Sequence, residues 1–384
     1  MGAEREGVRT VELTLTSLAY GGKALGRLPD GRALFAPYAL PGETVRVRLI
    51  KEKRGYVEAE LVEVLSPSPQ RIAPRCRHFA QCGGCHYQHM DYAAQLAAKA
   101  AILREQLVRL GGLSDPPVAQ TIPSPQPWRY RNHMQFHRAP DGRLGFQAAR
   151  ANQIIPITEC HLPEPTLDAA WRGLSGAPLA GEARIGLRVG ADGTIQQPGG
   201  EPVLMRVLGR DFQVSPPSFF QVNTAMAGRM VEFVLEQLAS GASDNVIDLY
   251  CGVGLFGAFL APRVARLAGV EASPSACADF RVNLAAFGNV TLYAGDAEAM
   301  LAGIEGPVTG MVADPPRAGL GAGVVSEIVR LAPARFVYVS CDPATLGRDA
   351  RLLSAGGYRL ARATPFDLFP QTYHIESISV WVRV

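Results

Sequence analysis

The stretch Asp248-Leu249-Tyr250-Cys251-Gly252-Val253-Gly254-Leu255-Phe256-Gly257 constrains this chain more than any other. It follows the apolar run Asn245–Leu249, and three glycines then break the run before a helical pattern resumes. Glycines at that junction permit a tight turn and a close approach of backbone to a ligand. Further short apolar runs follow at Leu267–Val270, Val290–Tyr293, Gly310–Ala313 and Phe336–Ser340, each separated by a helix-length segment. Ala225–Ala239 reads as a helix before them, and Ile375–Val384 as a closing strand. Such alternation predicts a mostly parallel sheet covered by helices on both faces, a Rossmann-like α/β domain beginning near residue 218.

In an open parallel sheet, ligands gather at the carboxyl ends of the strands. Glu271 lies nineteen residues beyond Gly252, at the end of the next strand, where a carboxylate accepts hydrogen bonds from ribose hydroxyls. Gly252, Gly254 and Gly257 also satisfy the dinucleotide pattern G-x-G-x-x-G. At this point a nicotinamide cofactor and S-adenosylmethionine both remain open. Asp296 follows the third strand and is placed to meet an adenine edge, although Gly-Asp is also ordinary turn chemistry. Asp314-Pro315-Pro316-Arg317 and Ser340-Cys341-Asp342-Pro343 end two more strands. A lone cysteine is usually a small buried hydrophobe. Cys341, beside polar groups at a strand end in the cofactor cleft, reads instead as a nucleophile.

Upstream, residues 8–64 hold about five short alternating strands with turns, the pattern of a small β-barrel. Ser66-Pro67-Ser68-Pro69 reads as a linker and Asp91–Leu110 as a helix capped by Asp91. The net charge of +3 conceals an uneven distribution: residues 66–150 carry +7 and residues 151–384 carry −5. A concentrated basic segment suits a phosphate backbone, although a solvated arginine-rich surface looks the same by charge alone. Within it, Trp128–His137 reads as a strand with one basic face (Arg129, Arg131, His133), its aromatics Tyr130 and Phe136 stacking or in the core. No apolar run reaches the ~18 residues needed to span a bilayer, and no export signal is visible, so a cytoplasmic enzyme is expected.

The ordered series Phe220-Gln221-Val222-Asn223, Asp248–Gly254, Asp314–Arg317, Ser340–Pro343 and His374-Ile375-Glu376 resembles the RNA uracil-5 methyltransferases, which use S-adenosylmethionine to make 5-methyluridine in ribosomal or transfer RNA. The first sixty-odd residues resemble their TRAM domain, a small RNA-binding barrel. The resemblance implies Cys341 as the nucleophile that adds to uracil C6, and Glu376 as the base that removes the C5 proton. It implies Gln221, Tyr250, Gly252, Gly254, Glu271, Asp296 and Asp314 as cofactor-binding residues, with Gln221 and Asp314 also within reach of the uracil edge. Leu255 departs from the family, where a polar residue is frequent. The implied organisation is a barrel over 1–66, a central β domain over 67–217 and the methyltransferase domain over 218–384. The helix near 91–112 is expected to pack on the last of these.

Cys76, Cys82, Cys85 and Cys160 are four of seven cysteines, spaced unlike the paired knuckles of a zinc ribbon. Four thiolates suit an iron–sulfur cluster, while His78, His86 and His89 keep zinc open. The stretch Cys82-Gly83-Gly84-Cys85-His86-Tyr87-Gln88 resembles that of the ribosomal branch, which implies a [4Fe–4S] cluster and 23S rRNA as substrate, with tRNA as the alternative. An RNA-binding module with an inactive methyltransferase domain is a different reading, opposed by the presence of Cys341 and Glu376. No obligate protein partner is expected.

Overall fold

The computed structural model describes residues 9–149, 151–174 and 184–384. Strands β1 (Thr10–Leu18), β2 (Lys23–Arg27), β3 (Ala33–Pro37), β4 (Thr44–Glu52) and β5 (Tyr56–Ser66) close into a barrel in the order β1-β2-β3-β5-β4. Alternate residues point inward, and Leu15, Ala24, Leu34, Ala36, Val45, Val47 and Val57 are fully buried. Small and β-branched side chains fill the narrow interior of five strands. Glu43, also fully buried, receives the guanidinium of Arg71 and the amides of Leu40 and Ser68, which fixes the chain where it leaves the barrel.

A cysteine-bearing loop leads to α1 (Tyr92–Arg109), whose N-terminus is capped by Asp91 accepting from the Ala94 amide. The central sheet has the order β10-β9-β6-β7-β8: β6 (His133–Arg138), β7 (Leu144–Gln147), β8 (Ile154–Pro156), β9 (Arg184–Val189) and β10 (Ile195–Gln196). Helix α2 (Pro165–Leu174) covers it, packing Leu167 and Trp171 on Phe136 and Leu187. A hairpin of β11 (Val203–Val207) and β12 (Arg210–Val214) follows, and then α3 (Thr224–Leu238), capped by Asn223.

The rest is a seven-stranded sheet. Its elements run β13 (Asn245–Leu249), α4 (Gly257–Leu260), β14 (Arg266–Glu271), α5 (Pro274–Asn283), β15 (Val290–Ala294), α6 (Ala297–Ala302), β16 (Gly310–Ala313), α7 (Gly321–Leu331), β17 (Arg335–Ser340), α8 (Pro343–Ala355), β18 (Tyr358–Phe366) and β19 (Glu376–Arg383). The strand order is β15-β14-β13-β16-β17-β19-β18, parallel except that β19 runs antiparallel to both neighbours. Alternation divides the core between the two faces. Val246, Val312, Val337 and Val339 meet Met226, Met230, Leu260 and Phe280 of α3, α4 and α5. Ile247, Leu249, Met311 and Tyr338 meet α6, α7 and α8 on the other face. Helix α1 joins that second face through Leu103 and Leu107, so a helix far away in sequence completes the methyltransferase core.

Strand order reverses between β13 and β16, which opens a crevice at their carboxyl ends. The parallel alternation follows the sequence reading, whereas the expected strand over Trp128–His137 is only partly formed. Regular structure begins at His133, and Arg129 sits at φ 57°. The amides of Arg129 and Arg131 bond instead to the carbonyls of His161 and Leu162, so the chain here is tied to the Cys160 segment. Tyr130 and Phe136 are core residues. Arg129 pairs with Asp168 and Arg131 donates to the His133 carbonyl, so the expected basic face is largely spent within the protein. Helix α2 and strand β18 escaped the sequence reading.

Candidate active site

The glycine turn ends β13 at the crevice. Gly252 and Gly254 adopt φ of 54° and 92°, and a Cβ on Gly254 would lie 2.3 Å from Leu284 Cδ1, so a side chain there would be strained and would have to displace Leu284. Tyr250 is also left-handed at φ 59°, a strained position for a side chain that the turn enforces. Glu271, at the end of β14, accepts from the Gly252 amide (2.9 Å) and from the Ser273 amide (2.7 Å). Its carboxylate therefore clamps the turn to the next strand and stands at the crevice lip. Asp296, exposed, caps α6 by accepting from the amides of Glu298 and Ala299.

On the other side of the crevice, Asp314 follows β16 and receives a hydrogen bond from Gln221 Nε2 (3.2 Å). Gln221, 5% exposed, precedes α3, so the two motifs meet only in the folded chain. Cys341 follows β17 and Glu376 opens β19. The register pairs Ser340 with Ser377, so Cys341 and Glu376 are the next positions on the two strands. Burial pushes the Cys341 thiol up to about 12, helped by the nearby carboxyls of Glu376 and Asp314 and opposed by Arg317. Burial also holds Glu376 well above the carboxylate range, with Asp314 adding to it. Asp314 is raised to about 7 by burial, and the Gln221 amide draws it partly back. Arg317 is exposed at the rim and contacts His374 Nδ1 at 3.5 Å. It is the cation that opposes the raised values of both Cys341 and Glu376.

The cofactor and catalytic candidates from the sequence thus gather at the carboxyl edge of the sheet, on the two sides of the crevice. Sequence reasoning assigned nothing to Arg317, although it stands in the Asp-Pro-Pro-Arg motif, nor to Phe219, which is 67% exposed two residues from Gln221. The exposure of Phe219 is visible only in the folded chain.

The four cysteines form a second locus. Cys76, Cys82, Cys85 and Cys160 all line one cavity of about 220 Å³ with Arg131, Met134 and Phe146. The Gly84 amide donates to Cys82 Sγ (3.4 Å), and Gln88 Oε1 accepts from the Cys76 amide (3.0 Å). Burial raises all four thiols, Cys160 to about 12, and in each except Cys76 a neighbouring thiol raises it further. Among the described residues, no three His, Cys, Asp or Glu side chains converge closely enough to hold a metal ion. No helix among them is long and apolar enough to cross a membrane.

Comparison with known proteins fixes the class. Residues 204–383 match the tRNA (Uracil-5-)-methyltransferase family model and residues 4–62 the TRAM domain. An RNA methyltransferase of Gloeobacter violaceus, itself uncharacterized, is 33% identical over 98% of this chain and 97% of its own length. The 23S rRNA (uracil(1939)-C(5))-methyltransferase RlmD of Pectobacterium atrosepticum is 32% identical over 98% of this chain and 94% of its own length. The chain belongs to the RNA (uracil-5-)-methyltransferase family. The tRNA (uracil-54, C5)-methyltransferase of Pyrococcus abyssi, solved with S-adenosyl-L-homocysteine, shares the fold with a TM-score of 0.75, 23% identity and coverage of 97% of this chain and 99% of that one.

Proposed function

We propose that this enzyme methylates C5 of a uridine in 23S rRNA, with S-adenosylmethionine bound at the glycine turn. The observation that carries the reading is the adjacency of Cys341 and Glu376 at the carboxyl edge of the sheet, facing Asp314 and Gln221. The crevice supports this cofactor over a dinucleotide. Glu271 and Asp296 place acidic groups along it, outside the buried Asp314–Glu376 cluster. Carboxylates attract a sulfonium cation and repel a pyrophosphate. The open glycine turn admits the body of the cofactor beside Tyr250, with Glu271 at the ribose and Asp296 at the adenine.

The chemistry asks three things of the protein. Cys341, as thiolate, forms a bond to uracil C6 and moves the ring electrons to C5 and O4. Asp314 and Gln221, hydrogen-bonded to each other, are placed to hold the polar edge of the ring while that charge develops. S-adenosylmethionine, when bound, would supply the methyl group that C5 takes up, leaving as S-adenosylhomocysteine. Glu376 then removes the C5 proton, the C6–S bond breaks, and Cys341 leaves as thiolate. Burial of a thiol and two carboxyls together disfavours their charged forms, so Cys341 and Glu376 must each lose a proton before the reaction begins. A cationic cofactor and Arg317 at the rim lower the cost of the charged forms.

The cysteine cavity supports a [4Fe–4S] cluster held by Cys76, Cys82, Cys85 and Cys160. Burial raises all four thiols, and a bound metal centre would stabilise them as thiolates. A single tetrahedral zinc at about 2.3 Å would draw its sulfurs together, whereas a cluster takes one sulfur at each of four irons. Four cysteines lining one cavity are the observation behind this part of the proposal. The full-length likeness to a 23S rRNA enzyme supports the ribosomal substrate.

The test is transfer of labelled methyl from S-adenosylmethionine to unmodified 23S rRNA and, separately, to tRNA, followed by nucleoside analysis. Label in 5-methyluridine from rRNA supports the reading. Label only from tRNA moves the substrate, and label from neither removes the reading.

A further inference from the structure

The turn Tyr20-Gly21-Gly22, between β1 and β2, brings the barrel against the catalytic edge. Tyr20 Oη donates to Asp342 Oδ2 at 3.1 Å across 322 residues of sequence. Asp342 is the residue after Cys341, and its other oxygen caps α8 by accepting from the amides of Ala344 (2.8 Å) and Thr345 (3.1 Å). The Tyr20 ring also meets Tyr373 edge-on at 5.8 Å, and Tyr373 in turn packs against His374 at 4.4 Å, two residues before Glu376. Gly22, at φ +82°, is pressed so closely to the loop that a Cβ would lie 3.3 Å from both His86 and Tyr373. Behind the turn, Leu18 and Leu40 of the barrel share a small core with Tyr87, Met90 and Tyr373. Tyr20 therefore touches the residue after Cys341 directly and the segment leading into Glu376 through Tyr373.

We propose that Tyr20 is a positioning residue for methyl transfer, acting through Asp342 on the Cys341 loop; this rests on the function proposed above. Cys341 sits between Ser340 and Asp342, which are bonded to each other (Ser340 Oγ to Asp342 O, 3.1 Å), so the nucleophile occupies the crest of a short closed loop. One Asp342 oxygen anchors that loop to α8, and Tyr20 anchors the other oxygen to the barrel. A uridine presented by RNA bound on the barrel then meets a sulfur whose position is referenced to the barrel itself. A nucleophile held in a near-attack position reacts faster without binding substrate more tightly, so the effect belongs to kcat.

The experiment compares Tyr20→Phe, Asp342→Asn and the double variant with the full-length enzyme, using RNA shown to be methylated by the wild type. Phenylalanine keeps the ring contact with Tyr373 and removes only the hydroxyl. The inference predicts that Tyr20→Phe lowers kcat about tenfold, the size of one ordinary hydrogen bond, with the KM for RNA within about twofold. The rate of covalent trapping by 5-fluorouridine RNA falls in parallel. In the Asp342→Asn background the same change costs at most about twofold. An unchanged kcat, a rise in KM alone, or an equal further loss in the Asp342→Asn background overturns it. A wild type that methylates no uridine instead removes the underlying function, and the inference with it.

Discussion

Cys341 and Glu376 are neighbours because two antiparallel strands put them there: Ser340 of β17 pairs with Ser377 of β19, and the next residue on each strand is one member of the pair. β19 runs against the other strands of the sheet, so its beginning, and not its end, lies at the carboxyl edge where the glycine turn opens. A carboxyl from the last strand thereby joins a thiol from the fifth of the parallel set.

Removing the base separates the two halves of the reaction. Glu376→Gln keeps the shape of the side chain and cannot accept the C5 proton. We expect product formation to fall by about 10²–10⁴, while the Cys341 adduct still forms and persists. Denaturing gels of enzyme mixed with RNA and cofactor read both. An adduct that turns over at the wild-type rate would assign the base elsewhere.

The buried pair Lys99–Asp367 ties α1 to the loop that leads into Glu376. Lys99 Nζ lies 2.6 Å from Asp367 Oδ1 and also donates to the Phe369 carbonyl, and Tyr92 donates to the other carboxyl oxygen. Both charged side chains are fully buried. Lys99→Met strands the carboxylate and is expected to cost about 3–5 kcal/mol in denaturant unfolding. A cost below about 1 kcal/mol would show that the pair contributes little to the docking of α1.

Asp248 gives a pH signature. Its carboxyl is 1% exposed, and burial raises it from 3.8 to about 8, the neighbouring Gly257 amide offsetting only part of this. The folded value lies above the unfolded one, so the protonated form favours folding. Its contribution is complete below the unfolded value and is lost as pH rises toward about 8. Asp248→Asn is expected to melt at a higher temperature than the wild type at pH 9, with the difference shrinking toward pH 5. A constant difference across that range would contradict the assignment.

The cysteine cavity predicts colour and stability together. Anaerobically purified protein should absorb broadly near 400 nm and contain about four irons per chain. Cys85→Ser should lose both and melt earlier. Zinc in place of iron would overturn the cluster.

Much of this was legible in residue order. The glycine turn, Glu271 and the strand-end motifs announced the parallel sheet because buried strands and tight turns impose local composition. Two things were not legible. The alternation of Trp128, Tyr130, Met134 and Phe136 resembled one strand, but hydrogen bonds to His161 and Leu162 hold residues 129–131 in an irregular path. Local patterning carries no record of such distant partners. The contact of Tyr20 with Asp342 was equally invisible, since the register between barrel and sheet is set by packing around Tyr87 and Tyr373.

The most direct test is mass spectrometry of the enzyme trapped on RNA carrying 5-fluorouridine at the target position. Fluorine at C5 cannot be removed as a proton, so the reaction stops after methyl transfer with the enzyme still attached. The account predicts a cross-linked peptide containing Cys341, joined to a nucleotide heavier by one methyl group, and no such species from Cys341→Ala. A methylated nucleotide released without any adduct, or an adduct on another cysteine, would contradict it.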